Sequence, residues 1–299
     1  MFYNLETSVL RGSLAPKDAP FDLLIEVPHG ANTEQHYRAV ESHLKSPLPA
    51  DLIAFYYVNT DVGAWSLANS IAHAVVRADH RRTVMTMRCV VPRTFIDANR
   101  VLDGRPEDYK AGKVTAAIPP WITHPDDHAI LVEAHAAYTA AVDKAVGQLV
   151  DNGGQALFLH SYAPRTVDVQ VTESIVADMR AAYKTPDRWP LRPEVDLIHR
   201  DPSGQRHVEE AVEEALRAEL VAEGLSLASG ETYPFHPVTQ AWRHAQRLPG
   251  RSLCAEVRRD LVTWWLDPFR QVDVNYQRME RLSEAFGRFF HAWRGPAQR

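Results

Sequence analysis

Four short apolar runs constrain this chain more than any other feature: residues 21–27 (FDLLIEV), 84–91 (VMTMRCVV), 156–159 (ALFL) and 252–257 (SLCAEV). Runs of this length, bounded by turn-forming residues, read as interior strands buried on both faces. Pro28 and Pro92 close the first two. Between the runs lies sequence of helical character. Trp65, Leu67, Ala68, Ile71, Ala72 and Val75 recur at helical spacing and predict a helix over 61–78, with Asp61 at its start near the positive end of the helix dipole. Residues 128–150 are alanine-rich, and Asn152-Gly153-Gly154 supplies the left-handed stop such a helix needs. After a proline-punctuated stretch at 185–204 containing a short VDLIH segment, residues 208–222 read as an acidic amphipathic helix. Residues 103–126, rich in proline, glycine and charge, read as an excursion. Strands alternating with helices imply an α/β fold: a mixed, mainly parallel sheet with helices on both faces and ligands gathered beyond the carboxyl ends of the strands. With no repeat, low-complexity block or linker, the expectation is a single domain over 1–299.

Bulk properties narrow the partners. A chain of 299 residues, 45% hydrophobic and 24% charged, has ample material for a substantial core. Its 33 basic and 38 acidic residues are scattered, giving a formal charge of -5 and no footprint for nucleic acid or an anionic membrane. The first residues lack a basic segment followed by a long apolar stretch, and no apolar run reaches ~18 residues, so a soluble, cytoplasmic protein is expected. Cys89 and Cys254 are the two cysteines, both in apolar runs. They are expected as buried free thiols, and their number excludes a cysteine-built zinc site.

The chemistry-bearing residues cluster at the predicted strand ends. His29 follows the first run as Pro28-His29-Gly30, and His160 follows the ALFL run, so two strands end in histidine at one edge of the sheet. Imidazole and carboxylate are usual ligands of a catalytic zinc, which takes three protein groups and keeps its fourth position open. The carboxylate is Asp61, held rigidly at a helix start, or Glu34, in the polar segment after His29. Asp61 is preferred; its bland alternative is a plain helix cap. Glu256 lies inside the apolar SLCAEV run, where a carboxylate is expensive unless it is paired or functional. It is expected either to move protons beside the metal or to pair with Arg258 or Arg259. The segment RTFIDANR brings Arg93 and Arg100 into one loop with Asp97 and Asn99. A guanidinium fork there suits a substrate carboxylate, the alternative being a pair with Asp97.

Together these phrases resemble the N-formylglutamate amidohydrolase family, which is related to the zinc carboxypeptidases and aspartoacylases, over about residues 21–290. The resemblance rests on Pro28-His29-Gly30, Asp61-Val62-Gly63-Ala64, Arg93 with Ile96 to Arg100, His160-Ser161, and Glu256, Arg258, Asp260 and Leu261. It implies a zinc-carboxypeptidase-like fold and one zinc on His29, His160 and Asp61 or Glu34. It also implies Glu256 as general base and acid, and Asn99 and Arg100 on the substrate carboxylate. Arg93 and Arg165 are further candidates for that anion apart from the resemblance. Two departures stand out. The compact His-x-x-Glu motif of the carboxypeptidases is absent, since Asn32 stands third after His29, and a Tyr233-Pro234-Phe235-His236-Pro237 loop precedes the last strand. The implied activity is zinc-dependent hydrolysis of a linear amide, removing formyl or another small acyl group from an N-acyl amino acid such as N-formylglutamate. A carboxypeptidase-like or other N-acyl amino acid hydrolase is the alternative enzyme, and a non-catalytic metabolite-binding protein on the same scaffold is the alternative of another class.

Overall fold

A computed structural model describes residues 4–111, 114–265 and 267–293. Residues 112 and 113, within the excursion expected at 103–126, and the two ends of the expected 1–299 domain lie outside the described residues. The strands are β1 Leu5–Arg11, β2 Leu23–Val27, β3 Thr83–Cys89, β4 Gln155–Tyr162, β5 Val195–Leu197, β6 Leu227–Ser229 and β7 Ser252–Arg258, in one sheet of order β1-β3-β2-β4-β7-β5-β6. The middle four, β3, β2, β4 and β7, are parallel, whereas β1 on β3 and β5 on β7 are antiparallel. The mixed, mainly parallel sheet is therefore present. The helices are α1 Glu34–Glu41, α2 Leu52–Asn59, α3 Ala64–Ala78, α4 Pro106–Ala111, α5 Pro125–Asn152, α6 Ile175–Ala182, α7 Glu210–Ala222, α8 Gln240–Gln246 and α9 Tyr276–Ala292. Among the described residues no helix is long and apolar enough to cross a membrane.

Side chains alternate across a strand, so each central strand feeds two cores. On one face, Leu23, Ile25 and Val27 join Leu157, Leu159, Leu253, Ala255 and Val257 beneath α3, α7 and α9. On the other, Leu24, Phe158 and Cys254 join the core formed with α1, α2, α5, α6 and α8. The same parity puts Glu26, His160 and Glu256 on this second face, one step nearer the carboxyl edge. Helix α9 closes the first face with Met279, Leu282, Phe286, Phe289 and Phe290, spaced three and four apart and fully buried. At about 25 cal/mol per Å² of apolar surface, each such aromatic contributes on the order of 2–3 kcal/mol.

One local detail differs from the sequence reading. Helix α3 begins at Ala64 behind Gly63, whose φ of 81° is the left-handed conformation glycine tolerates, so Asp61 lies in the turn before the helix and is not its cap. Gly30 is required by packing: a Cβ there would lie 2.5 Å from Cβ of Arg88, whose guanidinium donates to the Gly30 carbonyl. The expected free thiols are present, as Cys89 and Cys254 are buried and unbridged.

Candidate metal centre and its cavity

Register brings the two histidines together. Glu26 of β2 lies beside Phe158 of β4, so the residues that follow them, His29 and His160, emerge at the same edge, with ring centroids 5.1 Å apart. Asp61 is pinned between them by its own turn. The Thr60 hydroxyl donates to the Ala31 carbonyl on the His29 side, and the Ser161 hydroxyl donates to the Val62 carbonyl, 2.7 Å, on the His160 side. The Asp61 carboxylate then lies 3.3 Å from His29 Nδ1 and 3.0 Å from His160 Nδ1. One ligand atom from each of the three buried residues lies within 4.8 Å of the others, a donor set that fits a metal ion. Asp97 takes the far side of His29, with Oδ1 2.7 Å from Nε2. Such an outer carboxylate turns the other ring nitrogen toward the centre and is a recurrent support of metal-binding histidines.

Glu34 stands apart from this cluster. It opens α1 on the surface, 57% of its side chain is exposed, and its carboxylate pairs with Arg38. Asp61 is accordingly the carboxylate that the fold brings to the histidines.

The charges are arranged in a graded way. Burial raises the Asp61 carboxyl, but His29 and His160 outweigh it and hold the group well below the usual carboxylate range. Asp97 is likewise held far down against burial, by Arg100, His29 and Arg93. Glu256 behaves in the opposite way. Directly beside His160 in the β4–β7 register, it is raised by burial and by Asp61, with His160 opposing. The Glu256 carboxyl lies within 4.0 Å of no lysine, arginine or histidine nitrogen of the described residues, so the bland expectation of a pair with Arg258 or Arg259 is not met; Arg258 pairs with Asp260.

These groups line one cavity of about 290 Å³, which holds His29, Asp61, His160, Glu256, Arg93, Asn99, Arg100 and Arg165 on its wall. That size suits a small molecule. The arginines of the 93–100 loop are heavily engaged. Arg93 donates to Asp97 at 2.9 Å, while Arg100 donates to the carbonyls of Thr115 and Asn99 and lies 3.5 Å from Asp97. Asn99 Nδ2 lies 3.3 Å from His160 Nε2, and its Oδ1 accepts the Ala241 amide. Arg165 donates to Trp189 and Asp187 at the cavity rim. The Tyr233-Pro234-Phe235 segment reaches the cavity wall, as its place before the last strand suggests.

Two residues near the centre, Arg192 and Glu26, escape the sequence reading, and Arg259 enters it only as a possible partner of Glu256. Arg192 and Arg259 line the cavity. Glu26, a carboxylate in the middle of FDLLIEV, is 4% exposed, accepts the Tyr138 hydroxyl, and is raised by burial to about 7. Its signal is the one that singles out Glu256: a charge inside an apolar strand.

Neither a family model nor a curated protein matches the chain by sequence. Among solved structures, the chain is similar to N-formylglutamate amidohydrolase from Ralstonia eutropha JMP134, with a TM-score of 0.56 and 19% identity over 94% of this chain and 96% of that one. It is also similar to a gene product of Agrobacterium tumefaciens, with a TM-score of 0.53 and 16% identity over 95% of this chain and 94% of that one. At these identities the likeness is one of fold, and it extends over nearly the whole length of each chain. The fold matches the one that the sequence motifs imply.

Proposed function

We propose that this chain is a metal-dependent hydrolase, with zinc as its metal, that removes formyl or another small acyl group from an N-acyl amino acid such as N-formylglutamate. The observation that carries the reading is the convergence of His29, Asp61 and His160 at the strand edge, beside a half-buried Glu256 that makes no ion pair among the described residues. The motif resemblance and the fold likeness to an N-formylglutamate amidohydrolase support it.

Bound to His29, Asp61 and His160, zinc supplies a Lewis acid and lowers the pKa of water toward ~7. The remaining work falls to side chains. Asp97 accepts a hydrogen bond from His29 Nε2–H and keeps Nδ1 turned to the centre. Glu256 accepts a proton from the attacking water and returns it to the departing amine nitrogen, a task suited to a carboxyl whose pKa burial raises. The arginine-lined wall receives the carboxylate of the substrate and orients the amide.

The test is metal analysis joined to a substrate panel. Protein purified without chelator is expected to hold about one zinc per chain and to cleave N-formyl or N-acetyl amino acids, with dipeptides as the comparison set. Substoichiometric metal, with no hydrolysis of any panel member after zinc is added, would remove the proposal.

A further inference from the structure

The cavity wall carries a buried guanidinium that makes no ion pair among the described residues. Arg259 follows β7 and is 4% exposed, yet it lines the cavity. Nη1 donates to the Val58 carbonyl at 2.6 Å and Nη2 to the Ser161 carbonyl at 3.5 Å, while Nε is buried without any hydrogen-bond partner. Among the described residues no carboxylate lies within 4.0 Å of it. A buried charge without an ion pair or full hydrogen bonding is costly. Its two partners place it, since Val58 is three residues before Asp61 and Ser161 follows His160.

The other cavity arginines have their partners. Asp97 takes Arg93 and Arg100, and Asp187 takes Arg165. Arg192 lies over the rings of Tyr162 and Tyr233 and donates to the Tyr233 and Thr166 hydroxyls. Arg259 reaches instead toward α2, whose Phe55 and Val58 line the cavity together with Ile175 and Met179 of α6, and Tyr183 is nearby. Burial there strengthens any ion pair that forms. A guanidinium has five N–H donors, of which two are used here, so Nη1 and Nη2 each keep one for a carboxylate.

We infer that Arg259 is the specificity-determining residue of the cavity, receiving a carboxylate of the substrate through the free N–H groups of Nη1 and Nη2. The inference rests on the hydrolase reading above, and it moves the anion anchor from the 93–100 loop to the segment after Glu256.

The experiment compares N-formylglutamate with its two monoamides, one amidated at the α-carboxylate and the other at the side chain, on wild-type protein and on Arg259→Ala and Arg259→Lys. Wild-type kcat/KM is expected to favour the diacid over one of the monoamides by about 100-fold, the scale of a desolvated charge pair. Arg259→Ala should bring that preference within about three-fold, with Arg259→Lys between the two because it keeps the charge but loses the fork. The preference is a ratio on one protein sample, so partial misfolding of a variant cancels. Full retention of the preference by Arg259→Ala, or equal loss on diacid and both monoamides, would overturn the inference. If wild-type protein cleaves none of the three, the hydrolase reading fails, and calorimetric binding of N-formylglutamate to Glu256→Gln protein decides the matter separately. Binding about 100-fold weaker in Glu256→Gln/Arg259→Ala than in Glu256→Gln upholds the anchor; equal binding, or none to either protein, removes it.

Discussion

The two faces of the central sheet are made by the same strands and serve different ends. On the α3, α7 and α9 face, Ile25, Val27, Leu159, Ala255 and Val257 are apolar and buried throughout. One residue out of step, Glu26, His160 and Glu256 point to the opposite face. Parity alone thus separates a face that stabilises from a face that carries costly charge, and the cost is tolerated because the first face is so uniformly packed. Strained or electrostatically expensive sites persist where the surrounding fold over-determines them.

The comparison breaks most severely at the ligands. His29→Ala and His160→Ala should each leave the protein without stoichiometric metal, and with activity reduced by more than the about 10–100-fold that changes in the outer shell typically cost. Elemental analysis after desalting checks this, and retention of one zinc per chain by either variant contradicts the ligand assignment. Next in size is Glu256→Gln. It keeps shape and metal but accepts no proton, so kcat should fall by about 10²–10⁴-fold with KM little changed. A kcat near wild type would leave Glu256 without its role. In the wild type, the raised Glu256 carboxyl should displace the acidic limb of the kcat/KM profile above the ordinary carboxylate range, and Glu256→Gln should abolish that limb.

Leu159 and His160 are chain neighbours on opposite faces, and the contrast sharpens there. Leu159→Ala opens a cavity beneath the helices of the apolar face and should cost about 2–5 kcal/mol of stability. Its kcat/KM per folded molecule should stay within about three-fold of wild type. Denaturant unfolding alongside steady-state kinetics separates the two effects, and a large kinetic defect at full folding would show that the faces are not independent.

What was legible in the sequence follows the same division. The central strands are readable because strands covered on both faces are continuous apolar runs, and His29 and His160 are readable because they interrupt such runs at their ends. The outer strands are another matter. LETSVLR of β1 and the three-residue β5 and β6 carry little pattern of their own and are defined by the strands they pair with. The choice between Asp61 and Glu34 needs the turn that Thr60 and Ser161 tie down, a tertiary fact with no local signal. Asp97 is visible as a partner for arginine, but its bond to His29 spans 68 positions of the chain. Arg259 is hidden for the same reason, since nothing in AEVRRDL separates the arginine that pairs with Asp260 from the one that does not.

The smallest effect concerns Glu26, the carboxyl on the site face that the proposed reaction does not use. Its pKa in the folded protein is about 7, raised by burial against the Tyr138 hydrogen bond and the nearby His160 and His29, from an unperturbed 4.5. Below pH 4.5 the group is protonated whether the chain is folded or not. Between 4.5 and 7 the unfolded chain releases the proton while the folded protein holds it, so rising pH favours unfolding. At 1.36 kcal/mol per unit the stability lost across that window is about 3 kcal/mol, and the loss is complete once pH passes the folded pKa. Glu26→Gln removes the titration and retains an oxygen for Tyr138. Measured on chelated protein, the variant should match wild type near pH 4.5 and exceed its stability by up to about 3 kcal/mol at pH 8. Groups common to both proteins cancel in the difference. Parallel stability curves for the two proteins from pH 4.5 to 8 would mean that Glu26 is already ionised in the fold, and that the site face holds one more negative charge than its burial suggests.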